Sequence, residues 1–453
     1  MNERLGNFLN RIYGKNVAVI GIGISNSPLI DFLLKHGAKV TAYDRKSREE
    51  IPELAEKFEE KGVRLVLGEN YLDRIDGDLI FKTPGMRYDV PALVSARERG
   101  IEVTSEIEVL FDVCPGKIIA VTGSDGKTTT TTLIHKFLET GGYKTRLGGN
   151  IGKPLLPECE DMTADEYIVL ELSSFQLHTL RKSPDVAVIT NITPNHLDWH
   201  TDYAEYIDAK KNIMKHQDKD GLLVTNAKND ETKKLISDAN GKVRTFSAYT
   251  DADISLKDGI ICLGEEKLLD TSDIKVMGMH NVENFMTAIG AVYDIVDKRV
   301  FTEVARSFNG VQHRIEFVRE IDGVRYYNSS IDSSPNRSIN TLNVFGDNVV
   351  MIAGGKDKGI PYDEIGPSVC EHVKTLVLIG KTSDKIEDAV KDCDKEGKVK
   401  ILRATTYPEA VSLAKENASA GDVVLLSPAS TSFDMFANFE ERGNLFKKLV
   451  QEL

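Results

Sequence analysis

The sequence predicts an α/β protein of three domains, each built on a mainly parallel sheet. Short apolar, β-branched runs alternate with helical stretches along most of the chain, and the runs end repeatedly in small or charged residues. The length of 453 residues suits about three domains of roughly 150 residues each. Such alternation implies parallel strands with ligands gathered at their carboxyl ends. The expected boundaries are 1–114, 115–311 and 312–453.

In the first domain, Asn16–Ile20 reads as a strand, 21–27 as a turn, Pro28–His36 as a helix, and Lys39–Tyr43 as a second strand ending at Asp44 and Arg45. Further strands are expected at 64–67, 78–81 and 101–103. Gly21-Ile22-Gly23 resembles a dinucleotide fingerprint, and Asp44 falls at the spacing of a ribose ligand. Asn26 stands where the third glycine belongs. That departure favours another anionic nucleotide over NAD(P), and a merely structural turn stays open. Thr83-Pro84-Gly85-Met86 follows the fourth strand and would face the same crevice.

The second domain begins past Cys114-Pro115-Gly116 with the most informative stretch, Lys117 to Thr129. An apolar strand runs into Thr122-Gly123-Ser124-Asp125-Gly126-Lys127-Thr128-Thr129 and then a helix. A loop of this kind turns backbone N–H groups and the positive end of a helix dipole toward phosphate. Lys127 would reach the β- and γ-phosphates of a nucleoside triphosphate, and the Thr128 hydroxyl would ligate Mg²⁺. Val121 occupies the place of the general motif's first glycine, so the loop is a shorter variant. Strands at 167–170 and 186–190 then end in Glu171 and in the run 191–198. Glu171 is a hard oxygen donor suited to Mg²⁺, or else a helix N-terminal carboxylate. His196 is a softer donor that fits a hydrogen-bonded structural role equally well. By composition alone, Lys210 and Lys211 on the helix 203–214 are solvated. A strand follows at 221–226, then a polar stretch to about 275 with a small β segment. Asn281 fits either a helix N-cap or a reader of an adenine edge.

The third domain repeats the pattern, with strands at 348–353, 375–379 and 422–426 that end in 354–359, 380–382 and 427–433.

Hydrophobic residues make up 41% and charged residues 28%, as in an ordinary globular protein. A net charge of −13 argues against broad nucleic-acid binding, which needs a basic face. The five cysteines, at 114, 159, 262, 370 and 393, are scattered and form no C-x-x-C pair, which points to a reducing compartment. No signal peptide and no run long enough to span a bilayer is evident, so a cytoplasmic protein is expected. Nothing demands more than a monomer.

Taken together, these motifs resemble the Mur ligase family, which joins amino acids to peptidoglycan precursors. The resemblance rests on Thr122–Thr129, Gly148-Gly149-Asn150-Ile151-Gly152, Glu171–Leu177, Thr190–His196, Gly278-x-His280-Asn281-x-x-Asn284, His313-Arg314-Ile315-Glu316 and Ser427–Phe446. Ser173-Ser174-Phe175-Gln176-Leu177 favours the member that adds D-glutamate. The family implies Rossmann-like outer domains and a P-loop ATPase-like middle one. It implies an ATP-dependent amide ligase that acts on UDP-N-acetylmuramoyl-L-alanine and D-glutamate through an acyl phosphate.

Carried over by motif, Ser25, Asp44, Arg45, Thr83 and Asn150 would hold the UDP substrate. Gly123, Ser124, Asp125, Gly126, Lys127, Thr128, Thr129, Asn281 and Arg314 would hold ATP. One Mg²⁺ would sit on Thr128 and Glu171, and a second on His196 and a carbamylated Lys210, which replaces the solvated reading of that lysine. Lys127, Glu171, His196 and Lys210 form the expected catalytic set. Lys358, Ser432, Phe433 and Phe439 would hold D-glutamate. Ser329 and Ile331 depart from the family's usual Asp and Lys, and Asp332 is a candidate replacement for the missing carboxylate. With ligands expected from three domains, an ATP-linked hinge is implied. The rival readings are a sibling ligase, including one acting on folate, and a nucleotide-binding regulator that forms no amide.

Overall fold

The computed structural model describes residues 2–453 except Ile24, Ser25, Asp198 and Lys358. Two of the expected ligand contacts, Ser25 and Lys358, therefore lie outside the described residues. The first sheet uses the five apolar runs anticipated: β1 (Asn16–Ile20), β2 (Lys39–Asp44), β3 (Arg64–Leu67), β4 (Leu79–Phe81) and β5 (Glu102–Thr104). All pair in parallel in the order β3-β2-β1-β4-β5. The order reverses between β1 and β4, which opens a crevice at their carboxyl ends.

The second sheet has nine strands, β6 (Lys117–Thr122), β7 (Thr145–Gly149), β8 (Tyr167–Glu171), β9 (Val186–Ile189), β10 (Leu222–Asn226), β11 (Lys242–Ser247), β12 (Ile254–Lys257), β13 (Ile260–Leu263) and β14 (Glu266–Asp270). Their order is β14-β13-β12-β11-β10-β9-β6-β8-β7. The central strands are apolar on both faces because helices cover both. All five residues of β8 are buried. The last two strands turn antiparallel.

The third sheet contains β15 (Glu316–Ile321), β16 (Val324–Asn328), β17 (Val349–Ala353), β18 (Val373–Leu378), β19 (Lys400–Arg403) and β20 (Val423–Leu426), in the order β15-β16-β20-β17-β18-β19. Among the strands of the described residues here, β15 pairs antiparallel with β16 and the others pair in parallel. Asp258-Gly259 and Asp322-Gly323, all four with positive φ, turn the β12–β13 and β15–β16 hairpins. That pair suits the primed turns that match strand twist.

The chain separates into two compact units. One is Met1–Asp273 with Met279–Arg306, and it carries the first two sheets. The other is Ile274–Gly278 with Ser307–Leu453, and it carries the third. No helix among the described residues is long and apolar enough to cross a membrane.

Candidate active site

At the end of β6 the chain makes the turn its glycines allow. Gly123 has φ 148° and Gly126 has φ 77°, immediately before the helix Lys127–Thr140. A Cβ on Gly126 would sit 2.5 Å from Asn284 Oδ1, and one on Gly123 would strike Thr190 Oγ1. Only glycine fits either place. Asp125 is fixed by its N–H donating to Asn191 Oδ1 (3.0 Å), while Thr190 Oγ1 donates to Asp125 O (2.6 Å). Lys127 folds back over the loop, and its Nζ donates to Gly123 O (3.0 Å) and Ser124 O (2.8 Å).

The helix Tyr203–Lys215 lies against this loop. Tyr206 OH meets Ser124 Oγ at 2.8 Å. Lys210 Nζ donates to Gly123 O (2.7 Å) and Thr122 Oγ1 (3.3 Å), and only 2% of the residue is exposed. Burial first, then the neighbouring Lys127, pushes the Lys210 amine far below the usual lysine range. The solvated reading of Lys210 is thereby overturned, because the helix turns it inward while Lys211 pairs with Asp238 at the surface.

Glu171 ends β8, with Oε1 accepting from Asn150 Nδ2 (2.8 Å) and the Asn150 N–H donating to Glu171 O (2.8 Å). Its Oε2 is buried without a hydrogen-bond partner. A carboxyl oxygen stranded in this way fits a cation. Among the described residues no three His, Cys, Asp or Glu side chains form a metal-binding group. A Mg²⁺ here would accordingly need the Thr128 hydroxyl and phosphate oxygens to complete its shell. His196 is exposed, adopts φ 54°, and lies edge-on to Phe175 at 5.0 Å.

Asn281 lies inside the first turn of the helix Met279–Val292, so the N-cap reading does not hold. It accepts from Asn284 Nδ2 (3.2 Å), one turn from the atom that faces Gly126. In the first sheet's crevice, Asp44 accepts from the N–H of Ile22 (2.7 Å) and of Lys46 (2.9 Å), which braces the glycine turn. Asn26 takes over the third glycine's task differently, donating from Nδ2 to Ile20 O and Gly21 O. Thr83 packs against Gly21, and Arg45 is exposed.

In the second unit, the loops after β17 and β20 join through Gly354 N–H to Pro428 O and Lys356 N–H to Thr431 O, both 2.8 Å. Ser432 is buried there, while Phe433 is exposed. Phe439 opens the helix Phe439–Gln451 with its ring edge-on to His313 at 6.0 Å, beside exposed Arg314. Asp332 does not replace the missing carboxylate at a surface. It is 4% exposed and accepts from Ser427 Oγ (2.8 Å), because the Ser329–Ser334 turn directs it into the domain interior. Arg442 is fully buried, donating to Ser330 O, Ser330 Oγ and Ser430 O. Sequence reasoning did not reach it, since a lone helical arginine reads as solvated.

Three family descriptions match the chain. They are the Mur ligase MurD-like N-terminal domain over residues 15–105, the Mur ligase middle domain over 121–292, and the Mur ligase glutamate ligase domain over 313–430. The chain belongs to the Mur ligase family. Among curated relatives, it is 52% identical to the UDP-N-acetylmuramoylalanine–D-glutamate ligase of Acetivibrio thermocellus and 51% identical to that of Clostridium kluyveri, covering all of both chains in each case. Two solved structures from Thermotoga maritima share the fold. The UDP-N-acetylmuramate-alanine ligase MurC has a TM-score of 0.59 at 19% identity, covering 97% of this chain and 99% of its own. The MurF ligase in complex with ADP has 0.56 at 19% identity, with both chains fully covered.

Proposed function

We propose that the chain is an ATP-dependent ligase that joins D-glutamate to UDP-N-acetylmuramoyl-L-alanine in peptidoglycan precursor synthesis. The observation that carries the chemistry is the stranded Glu171 oxygen beside a glycine-built phosphate loop. The choice of D-glutamate is supported by full-length identity of about half to ligases of that name.

A carboxylate is a poor acyl donor until its oxygen becomes a good leaving group. The loop N–H groups of Gly126 to Thr129, with Gly123 and Gly126 keeping the backbone close and Ser124 and Asp125 anchored to Asn191, cradle the triphosphate. Lys127 exchanges its two carbonyl partners for the β- and γ-phosphates, while Asn281 and Arg314 hold the rest of the nucleotide. Asp44, Arg45, Thr83 and Asn150 orient the UDP substrate so that its carboxylate oxygen attacks the γ-phosphorus. The bond to the β-γ bridging oxygen breaks, and an acyl phosphate and ADP result. The amine of D-glutamate, held by Ser432, Phe433 and Phe439, then attacks the acyl carbon. The tetrahedral adduct expels phosphate, and the amine's proton leaves as the amide forms. Two Mg²⁺ ions, one held by Thr128 and Glu171 and the other by His196 and a carbamylated Lys210, would spread the charge on the transferring group. The domain boundaries at 114/115 and 311/312, a cytoplasmic location and a monomeric state belong to the same proposal.

A panel of amino acids tested for phosphate release with ATP and UDP-N-acetylmuramoyl-L-alanine decides the reading. D-glutamate should stimulate release and appear in the product. Stimulation by another amino acid instead would reassign the chain to a sibling activity, and ATP hydrolysis without amide formation would end the ligase reading.

A further inference from the structure

The loop after β4 does more than line the first sheet's crevice. Beyond Thr83, its Arg87 reaches the helix that carries Lys210, donating from two nitrogens to the two oxygens of Glu205, each at 2.9 Å. Arg87 also donates to Trp199 O (2.9 Å), and its guanidinium lies 5.0 Å from the Trp199 ring centre. Trp199 returns the contact, its indole N–H donating to Gly85 O at 2.8 Å.

Glu205 gathers further donors, the Thr201 N–H at 2.7 Å and His178 Nε2 at 3.1 Å, with His200 Nδ1 3.3 Å away. His200 reaches Ser174 Oγ through Nε2 (2.9 Å) and is almost wholly buried. Helix capping alone does not require this. Asp202 already caps the helix by accepting the Glu205 N–H at 2.8 Å. A capping-box glutamate would accept the Asp202 N–H, whereas Glu205 accepts from Thr201 and spends its remaining lone pairs on Arg87 and His178. Arg87 and Glu205 are each only about one-fifth exposed, so the pair is shielded and bidentate, unlike an ordinary surface bridge.

Two segments hang from this network. Lys210 lies five residues beyond Glu205 on one rigid helix. His196 is tied through its carbonyl to the N–H groups of Trp199 (3.1 Å) and His200 (3.0 Å). We propose that Arg87 and Glu205 form a positioning clasp that couples the UDP-substrate loop after β4 to the helix and turn bearing Lys210 and His196. The inference rests on the ligase reading above. Neither residue touches the reacting atoms. They hold in register the groups that do.

Trp199 is the chain's one tryptophan and therefore a reporter inside the clasp. Adding UDP-N-acetylmuramoyl-L-alanine without ATP should change its emission in the wild type and not in Arg87→Met. In Arg87→Met, kcat should fall by about 10- to 100-fold, the scale of a small misplacement of reacting groups, with KM for ATP nearly unchanged. Arg87→Lys should recover part of the loss, because an ammonium replaces the charge but not the fork. Should Arg87→Met fail to fold, Arg87→Lys and Glu205→Gln carry the same comparison. A folded Arg87→Met with wild-type kcat, or one that keeps the ligand-induced emission change, would overturn the clasp. A wild-type chain that releases no phosphate would overturn the ligase reading itself.

Discussion

Gly126 shows how narrowly the proposed phosphate loop is specified. Alanine there must adopt a left-handed backbone and bring Cβ to 2.5 Å from Asn284 Oδ1. The strain is about 1–3 kcal/mol, and the Lys127–Thr140 helix start must shift to relieve it. Gly126→Ala should therefore lower the unfolding midpoint modestly and weaken ATP binding far more, which calorimetry on the same sample would separate. Lys210→Ala should abolish ligation, and a short carboxylic acid should restore part of it by replacing the carbamate oxygens. Full activity without additive would remove Lys210 from the site. Lys210 shows the limit of composition. Nothing in its neighbourhood distinguishes it from Lys211, and only the family resemblance singles it out. Its burial depends on Thr122 and Gly123, 88 and 87 residues away in sequence.

At the level of elements, the helix Glu106–Val113 carries a titrating group of its own. Glu106 Oε1 accepts from the Leu156 N–H at 2.8 Å, and burial pushes its carboxyl up to about 7. The folded chain thus keeps a proton that the unfolded chain releases near the ordinary value of 4.5. The sign follows: stability is greatest at acid pH and falls as pH rises from about 4.5 through about 7, by about 3 kcal/mol for this group. Glu106→Gln, which mimics the protonated form, should flatten that fall and exceed the wild type in urea resistance at pH 8. A wild-type slope retained in the variant would assign it to other groups.

Most strands were legible because parallel strands covered on both faces read as unbroken apolar runs, β6 and β17 most clearly. The β15–β16 edge hairpin was not. The residues of β15 are partly exposed and alternate weakly, β16 is interrupted by Arg325, and the Asp322-Gly323 turn carries the signal that the apolar pattern lacks. The turn of the candidate site was legible where its signal is local, at Gly123 to Thr128 between a strand and a helix. The sequence was obscure at Arg87, Glu205 and Arg442, whose partners come from distant segments.

On the scale of the whole molecule, the proposed ligands are divided between two compact units. Lys127, Glu171 and Lys210 belong to the first, and Arg314, Ser432 and Phe439 to the second. A ligation that needs both sets should change the small-angle scattering when ATP and UDP-N-acetylmuramoyl-L-alanine are added together. Superimposable profiles would show that no such rearrangement occurs.

The inward-facing amine of Lys210 has a further consequence for how a new molecule becomes active. In an unfolded chain this side chain is an ordinary protonated ammonium, inert toward carbon dioxide. The burial that lowers its proton affinity arises only once Thr122, Gly123 and the Tyr203–Lys215 helix have come together. The carbamate proposed at Lys210 would then follow folding, each neutral amine taking up one molecule of carbon dioxide and releasing one proton. Refolding in degassed buffer should give a lag in ligation that bicarbonate shortens, even though the unfolding midpoint is already that of the finished protein.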